Sequence, residues 1–186
     1  SFTPDGYYVG ADGAYLRNQK IQVDGKEYYL NAAGKVARNQ WVGDYYLNGA
    51  GSIVKNHWAG NYWCGADGRY VKSSWVDDGR YYVGSNGVYV TNQWIGDYYL
   101  NGAGLVTKNA WVGNYWCGSD GKYVKSSWVD NNQYYVGANG VYVPGRWVAY
   151  GSHWCYYAGS VYAKDITLNI GGKAYTFDSN FICQVV

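Results

Sequence analysis

Tryptophan and tyrosine are the residues of this sequence whose type and spacing suit ligand recognition. Among 186 residues the chain has 10 Trp and 24 Tyr but only 3 Phe. Indole and phenol rings combine a flat apolar face with a polar edge, so they can stack on sugars, hold cations or pack on one another. One column recurs regularly, and we predict for each member packing between hairpins, ligand contact or both; its members are Trp41, Trp58, Trp75, Trp94, Trp111, Trp128 and Trp147.

Two further columns follow each Trp at nearly constant spacing. The second member of an aromatic pair recurs as Tyr46, Trp63, Tyr82, Tyr99, Trp116 and Tyr135. A polar residue precedes each pair, as Asp44, Asn61, Arg80, Asp97, Asn114 and Gln133. Aromatic faces beside Asp and Asn suit a sugar, which has an apolar C–H face and a rim of hydroxyl groups. We therefore predict ligand contacts from the aromatic column and from Asp44, Asn61, Asp97 and Asn114.

The sequence does not have the pattern of a catalytic or metal site. Catalysis needs unlike groups that converge on one place, whereas repetition supplies copies of one residue. His57 is replaced by Ala110 in the next repeat, His153 is isolated, and no Cys-x-x-Cys pair occurs. Asp67 and Asp120 occupy the third position of Gly-ended turns, where Asp favours the turn. We predict a binding protein without catalytic residues, metal or cofactor.

The elements that position these columns are short repeats. Residues 39–91 recur as residues 92–144 with 40 of 53 positions identical, and each block divides into units of 17, 17 and 19 residues. Each unit has a Trp, a short loop, two aromatics and a four-residue segment ending in Gly, such as residues 48–51. We predict that this Gly-ended segment is the tip of a β-hairpin.

Hairpins this short are marginally stable alone and must bury one face against their neighbours. We therefore predict an all-β solenoid of stacked short β-hairpins over residues 1–147, and an irregular C-terminal cap over residues 148–186. Strand alternation places Tyr45 and Leu47 on one face and Tyr46 on the other. The Leu47 column is small and apolar, so we predict that it forms the core and that the Tyr46 column faces outward or into the seam between hairpins, as a row of rings open to ligand.

Charge excludes one class of partner. The chain has 15 Lys plus Arg and 13 Asp plus Glu, giving a net charge of +2 without a strongly basic run. Nucleic-acid binding needs clustered positive charge, so we predict no nucleic-acid partner. No apolar stretch approaches the ~20 residues that a membrane-spanning helix needs. The chain begins with Ser1 rather than Met, and we expect a mature or excised part of a larger extracellular protein.

The four cysteines fall into two groups. Cys64 and Cys117 replace Leu or Val in the core column and lie one 53-residue block apart, so we predict buried free thiols, too distant for the ~4.4–6.8 Å Cα spacing of a disulfide. Cys155 and Cys183 lie in the C-terminal segment, where a disulfide would stabilise the cap. They are the candidate disulfide pair.

The repeat pattern resembles a known family. A Trp, a loop, an aromatic triplet ending in Leu and a Gly-tipped turn, repeated every 17 to 19 residues from about Tyr7 to Trp147, resemble the cell-wall-binding repeats of Gram-positive surface proteins. These include choline-binding and glucan-binding repeat modules. The resemblance implies ligands between successive hairpins and a secreted, cell-wall-associated module joined to a catalytic or adhesive domain elsewhere.

The sequence departs from the choline-binding version at one place. That version forms a cation–π cage from the loop Trp, the first aromatic of a Trp-Tyr-Tyr-Leu run and a Tyr of the neighbouring repeat. Here Asp44 and its equivalents replace the first Trp of the run, so we favour bacterial cell-wall polysaccharide, teichoic acid or glucan as partner, bound multivalently. The alternatives are a host glycan or protein, as for an adhesin or toxin rod, and choline on teichoic acid.

Overall fold

The computed structural model describes residues 1–159 and 161–185, and these residues form strands, turns and bends without a helix. The predicted fold class of stacked short β-hairpins is confirmed. The chain divides into two compact units, residues 1–91 and 92–186. The predicted boundary between a solenoid and a cap at residue 147 stays a prediction.

The first unit contains four antiparallel hairpins, each made of two strands that are consecutive in the sequence. Their strands are β1 (Gln19–Val23), β2 (Lys26–Leu30), β3 (Gln40–Val42), β4 (Tyr45–Leu47), β5 (His57–Ala59), β6 (Tyr62–Cys64), β7 (Ser74–Val76) and β8 (Tyr81–Val83).

The second unit continues the pattern with two hairpins and three three-stranded sheets, again antiparallel throughout. Its strands are β9 (Gln93–Ile95), β10 (Tyr98–Leu100), β11 (Ala110–Val112), β12 (Tyr115–Cys117), β13 (Ser127–Val129), β14 (Tyr134–Val136), β15 (Tyr142–Val143), β16 (Gly145–Tyr150), β17 (His153–Ala158), β18 (Val161–Tyr162), β19 (Ile166–Ile170), β20 (Lys173–Phe177) and β21 (Cys183–Val185).

The chain reverses twice in each repeat: at the predicted Gly-ended tip, where Leu47 and Ile53 form an antiparallel bridge across residues 48–51, and between the Trp strand and the aromatic-pair strand. In hairpin β3–β4 the register joins Trp41 to Tyr46 across a two-residue turn, Gly43-Asp44. Gly43 has a φ of 58°. A glycine with positive φ at the first turn position gives a type II′ turn, whose twist matches that of the paired strands.

The Gly-ended segments also connect one hairpin to the next. After the turn at residues 65–68, Tyr70 bridges to Cys64 of its own hairpin, and Arg69 bridges to Tyr45 of the preceding one. The same two bridges recur in the second unit, Tyr123 to Cys117 and Lys122 to Tyr98. Within each unit, the segment after each turn therefore links successive hairpins through their backbones.

The predicted core column is confirmed. Its members are fully buried, with 0% exposure, at Leu30, Leu47, Cys64, Val83, Leu100, Cys117 and Val136. In the first unit Leu47 packs with Ala37 and Ile53, and Tyr29, Val42 and Tyr45 cover this cluster. Each hairpin contributes one small apolar side chain, and surrounding rings seal it from water.

The C-terminal part of the second unit is built differently. Strands β16 and β17 have six residues each, twice the length of the repeat strands. In the last hairpin, Thr167 pairs with Thr176 at the register position that Trp and Tyr fill in the repeats, and their hydroxyl oxygens lie 2.9 Å apart. Phe177 and Leu168 are buried beneath this hairpin with Ala163.

All four cysteines are free thiols, so the candidate disulfide between Cys155 and Cys183 is not formed in this structure. Cys155 lies on β17 and Cys183 on β21, two strands that contact each other. Cys64 and Cys117 are buried in the core column as predicted, and burial raises the pKa of both thiols above the ordinary cysteine value.

Candidate functional site

The Tyr46 column is largely half-buried against the Trp column rather than a fully exposed row, and its contact with ligand stays a prediction. Each ring faces the Trp directly opposite it in the hairpin register, as Tyr46 faces Trp41 at 5.3 Å between ring centroids. Trp63 lies 5.3 Å from Trp58 in the same way, and Tyr135 is buried to 6% exposure. Cross-strand pairing of two large rings on one face covers both.

A different set of rings forms concave sites between successive hairpins. Each site, called a cage here, has three walls: the Trp of one hairpin, the first Tyr of the next hairpin, and the Tyr that follows the Gly-ended turn of that next hairpin. The two units contain these cages at Trp41 with Tyr62 and Tyr70, Trp58 with Tyr81 and Tyr89, Trp94 with Tyr115 and Tyr123, and Trp111 with Tyr134 and Tyr142.

The three walls of each cage are close to mutually perpendicular. In the Trp41 cage, the Trp41 ring makes angles of 70° with Tyr62 and 80° with Tyr70, and those two tyrosines make an angle of 84°. The ring centroids lie 5.2, 5.7 and 5.6 Å apart. Each cage is therefore an open corner with a π-face on three sides.

The backbone of the turn fixes the third wall. Tyr70 donates its N–H to the Asp44 carbonyl at 3.0 Å, and Tyr142 donates to the Asn114 carbonyl at 2.8 Å. The predicted polar residues Asp44, Asn61, Asp97 and Asn114 have exposed side chains at these turns. Their carbonyl groups, which are independent of side-chain type, hold the tyrosines in place.

Glycines of the following turn support the third wall from behind. A Cβ atom on Gly87 would lie 2.5 Å from the Tyr70 ring, and one on Gly140 would lie 2.4 Å from the Tyr123 ring. Only a residue without a side chain leaves room for the tyrosine at these positions.

The cages fall into two electrostatic kinds. In the Trp58 and Trp111 cages the indole N–H donates to a carboxylate of the next hairpin, Asp77 at 3.5 Å and Asp130 at 3.1 Å. In the Trp41 and Trp94 cages a lysine lies over the third ring, with Lys72 Nζ 4.6 Å from the Tyr70 centroid and Lys125 Nζ 4.5 Å from that of Tyr123. Arg80 pairs with Asp77 and offsets its charge, so among these four cages the Trp111 cage has the clearest negative charge at its edge. The Lys72 and Lys125 ammonium groups place positive charge at the other two cages, where they interact with the Asp44 and Asp97 carboxylates.

Trp75 faces Tyr82 of its own hairpin at 5.3 Å, as Trp41 faces Tyr46. Two predicted tryptophans have other surroundings. Trp128 contacts Tyr135 and Tyr156 and packs on the cluster around Phe177. Trp147 contacts Tyr175 at 4.9 Å and lines a larger cavity.

The two tyrosines of each cage were not among the ligand contacts predicted from the sequence. Strand alternation placed the first Tyr of each pair on the core face, which is correct, but that face also meets the Trp of the preceding hairpin. A signal was present, because Tyr70, Tyr89, Tyr123 and Tyr142 each stand two residues after a turn glycine. A tyrosine at the same place after four of the six turn glycines of residues 39–144 indicates a recurring contact between repeats.

The arrangement suits a compact cation. A cation within ~6 Å of ring centroids is attracted to each face by roughly 0.5–1 kcal/mol when exposed, and by more when desolvated. The Trp41, Trp94 and Trp111 cages enclose about 270, 340 and 210 Å³. Across the described part of the chain, no cluster of three or more His, Cys, Asp or Glu could hold a metal ion, and no helix could span a membrane.

The short repeated hairpins and the cage between successive hairpins define a repeat-built module with aromatic sites. The sequence profile of the choline-binding repeat matches residues 52–89 and 105–142. The choline-binding domain of CbpL from Streptococcus pneumoniae is 34% identical, with 76% of this chain and 84% of that domain covered and a TM-score of 0.63. The chain belongs to the choline-binding repeat family.

A second solved structure shares the fold. The modular autolysin LytC from Streptococcus pneumoniae is 22% identical over 100% of this chain, with a TM-score of 0.64, and its complex with a synthetic peptidoglycan ligand gives the same values. The chain spans 52% of the length of LytC. No curated protein sequence matches the chain.

Proposed function

We propose that this chain is a non-catalytic module that binds quaternary ammonium groups of the choline type in its aromatic cages. The observation that carries the proposal is the three-walled corner, repeated at Trp41, Trp58, Trp94 and Trp111 with angles of 66–90° between the Trp and the first Tyr. Three π-faces directed at one point favour a round cation over a flat sugar ring, which needs one broad face and hydrogen-bonding partners beside it. The proposal reverses the preference for glycan that the sequence suggested.

The electrostatics of the cages support a cationic ligand. The Asp130 carboxylate accepts a hydrogen bond from the Trp111 indole N–H and places a negative charge beside the cage. A hydrogen bond to a carboxylate is roughly twice as strong as a neutral one, so the Trp111 ring is held firmly. We infer that this cage has the highest cation affinity among the four.

The biological partner follows from the ligand. We propose that the module holds a larger extracellular protein on a cell wall that displays choline, for which teichoic acid is the candidate carrier. The known binding domain of CbpL and the peptidoglycan complex of LytC support a surface-associated role. Several weak sites on one chain raise the effective concentration at the wall without new contacts.

The test compares choline with its neutral carbon isostere, 3,3-dimethylbutan-1-ol, and follows the indole N–H signals of the whole chain by NMR. We expect choline to shift the signals of Trp41, Trp58, Trp94 and Trp111, and the neutral alcohol to bind about tenfold more weakly because cation–π attraction requires charge. Equal binding of the two compounds would contradict the proposal.

A substitution in one wall of the Trp111 cage tests whether choline binds there. Tyr142→Leu removes one wall of the Trp111 cage, so we expect the Trp111 signal to lose most of its response to choline while Trp94 keeps its response. Tyr15→Leu is the matched control, since Tyr15 is 53% exposed and belongs to no cage described above. Loss of the Trp111 response in the control as well would show that the effect is not local.

A further inference from the structure

The C-terminal part of the second unit has a cavity with a different lining from the cages. It encloses about 470 Å³, against 210–340 Å³ for the measured cages, and its described lining is Trp147, Ser152, His153, Trp154, Tyr175 and Cys183. None of these residues is Lys, Arg, Asp or Glu. Its chemistry is therefore aromatic and hydrogen-bonding rather than charged.

Strand register shows that this cavity lies where the next cage of the repeat pattern would be. Trp147 faces Tyr156 of its own hairpin, as Trp41 faces Tyr46, and contacts Tyr175 of the following hairpin at 4.9 Å and 71°. Two walls of a cage are thus in place.

The cavity at Trp147 does not have the third aromatic wall. In the repeats, the tyrosine that follows the turn pairs with the core residue of its own hairpin, as Tyr70 pairs with Cys64. In the last hairpin the core residue is Phe177, 1% exposed, and its partner is Cys183. A small thiol therefore occupies the place of the third ring, and the corner is open on that side.

The lengthened hairpin β16–β17 supplies new groups at the opening. Trp154 pairs with Ala149 and lies on the same face of the hairpin as Trp147, because residues 154 and 156 alternate with Cys155 along the strand. Its side chain is 56% exposed, which is unusual for Trp in this chain. Ser152 lies in the adjacent turn and His153 is the first residue of β17, and both supply hydrogen-bonding side chains.

We propose that this cavity is a separate binding site for a neutral sugar ring, with Trp154 as the stacking platform. The exposed indole offers one broad apolar face for the C–H face of a pyranose, and Ser152 and His153 offer hydrogen bonds to its hydroxyl groups. The loss of the third wall removes a face needed to surround a cation and widens the space to that of a sugar. The site does not depend on cation binding at the cages.

The test titrates the whole chain with three neutral probes, cellotetraose, maltotetraose and the tetramer of N-acetylglucosamine, while the indole N–H signals are followed by NMR. We expect at least one probe to shift Trp147 and Trp154 and to leave Trp94 and Trp111 unchanged. Trp154→Ala should weaken that binding about tenfold, since a stacked ring contributes on the order of 1 kcal/mol, and Trp154→Phe should restore part of it.

A second variant tests the role of the missing wall. Cys183→Tyr restores the third ring, so we expect it to abolish sugar binding and to give Trp147 a response to choline. Retained choline shifts at Trp94 and Trp111 show that the variant is folded, and Cys183→Ser, which stays small, is the control that should keep the sugar site.

Three outcomes would overturn the proposal: no response of Trp147 and Trp154 to any probe at millimolar concentration, binding that survives Trp154→Ala unchanged, or a choline response at Trp147 in the unaltered chain. Failure of choline to bind the four cages, with sugar still bound at Trp154, would contradict the proposed function and leave this site standing.

Discussion

At the scale of single residues, the carboxylate beside an indole decides how strongly a cage holds a cation. Asp130 accepts from Trp111 at 3.1 Å, whereas Asp77 lies 3.5 Å from Trp58 and also pairs with Arg80 at 3.6 Å. We predict that Asp130→Asn weakens choline binding at Trp111 about threefold to tenfold, because it removes a nearby negative charge. NMR titration of the Trp111 signal measures this.

Asp77→Asn is the matched control for that change. The Arg80 guanidinium already offsets the Asp77 charge and lies 5.8 Å from the Tyr81 ring centroid. We therefore expect a smaller loss at Trp58 than at Trp111. An equal loss at both positions would mean that the hydrogen bond orients the indole and that the charge contributes little.

Lysine has the opposite effect at the other kind of cage. A hydrogen bond to Tyr123 raises the pKa of Lys125 above the ordinary lysine value, so the ammonium over that ring stays charged at neutral pH. We predict that Lys125→Gln tightens choline binding at Trp94 about twofold to fivefold by removing repulsion between like charges. Isothermal titration and the Trp94 NMR signal report the change.

Lys108→Gln removes the same charge from an exposed lysine of the same unit and serves as the control. Its effect on Trp94 should be small and should vanish at high salt, because exposed charges are screened beyond about 10 Å at 0.1 M salt. An effect as large as that of Lys125→Gln would assign the change to net charge.

At the scale of the hairpin, the turn glycine is part of the cage as well as of the fold. Gly140 has a φ of 79°, and an added Cβ would lie 2.4 Å from the Tyr123 ring. We predict that Gly140→Ala lowers the free energy of unfolding by about 2–4 kcal/mol, from left-handed backbone strain and overpacking together, and that it also weakens choline binding at Trp94.

Gly172 separates these two causes. Its φ is 80°, but an added Cβ would meet no atom within 4 Å. Gly172→Ala should therefore cost only the backbone strain, about 1–2 kcal/mol, and should leave the Trp94 response unchanged. Chemical denaturation of both variants measures the two free energies of unfolding. Equal decreases in the two variants would show that the Tyr123 side chain moves away from the added methyl group.

The hairpin is also the scale at which the sequence was informative. Alternation along three residues was enough to assign Leu47 and its equivalents to the core, because side-chain direction within a strand is a local property. The turn at residues 48–51 was predicted from its terminal glycine, whereas the second chain reversal, at Gly43-Asp44, was assigned to a loop. Strand alternation alone does not predict the cages, since Trp41 and Tyr62 meet only when two hairpins stack at a particular spacing.

At the scale of the whole chain, rings take the place of a conventional core. Within each unit, each hairpin buries one small apolar residue, and Tyr and Trp supply the rest of the contact between hairpins. The walls of a cage come from two successive hairpins, so the site exists only where the hairpins are stacked. Ligand binding and stacking are therefore thermodynamically linked.

This linkage predicts that choline stabilises the fold in proportion to the number of cages occupied. A site filled at 100 times its Kd adds about 2.7 kcal/mol, and the gain grows with the logarithm of concentration. We expect the Tm from circular dichroism to keep rising with choline chloride and to rise much less with equal sodium chloride. The combined variant Trp94→Ala and Trp111→Ala should lose a large part of the choline-dependent rise, since two cages disappear. If the rise were equal in both salts, or unchanged in the variant, stabilisation would come from general ion effects and the cages would not be the sites of binding.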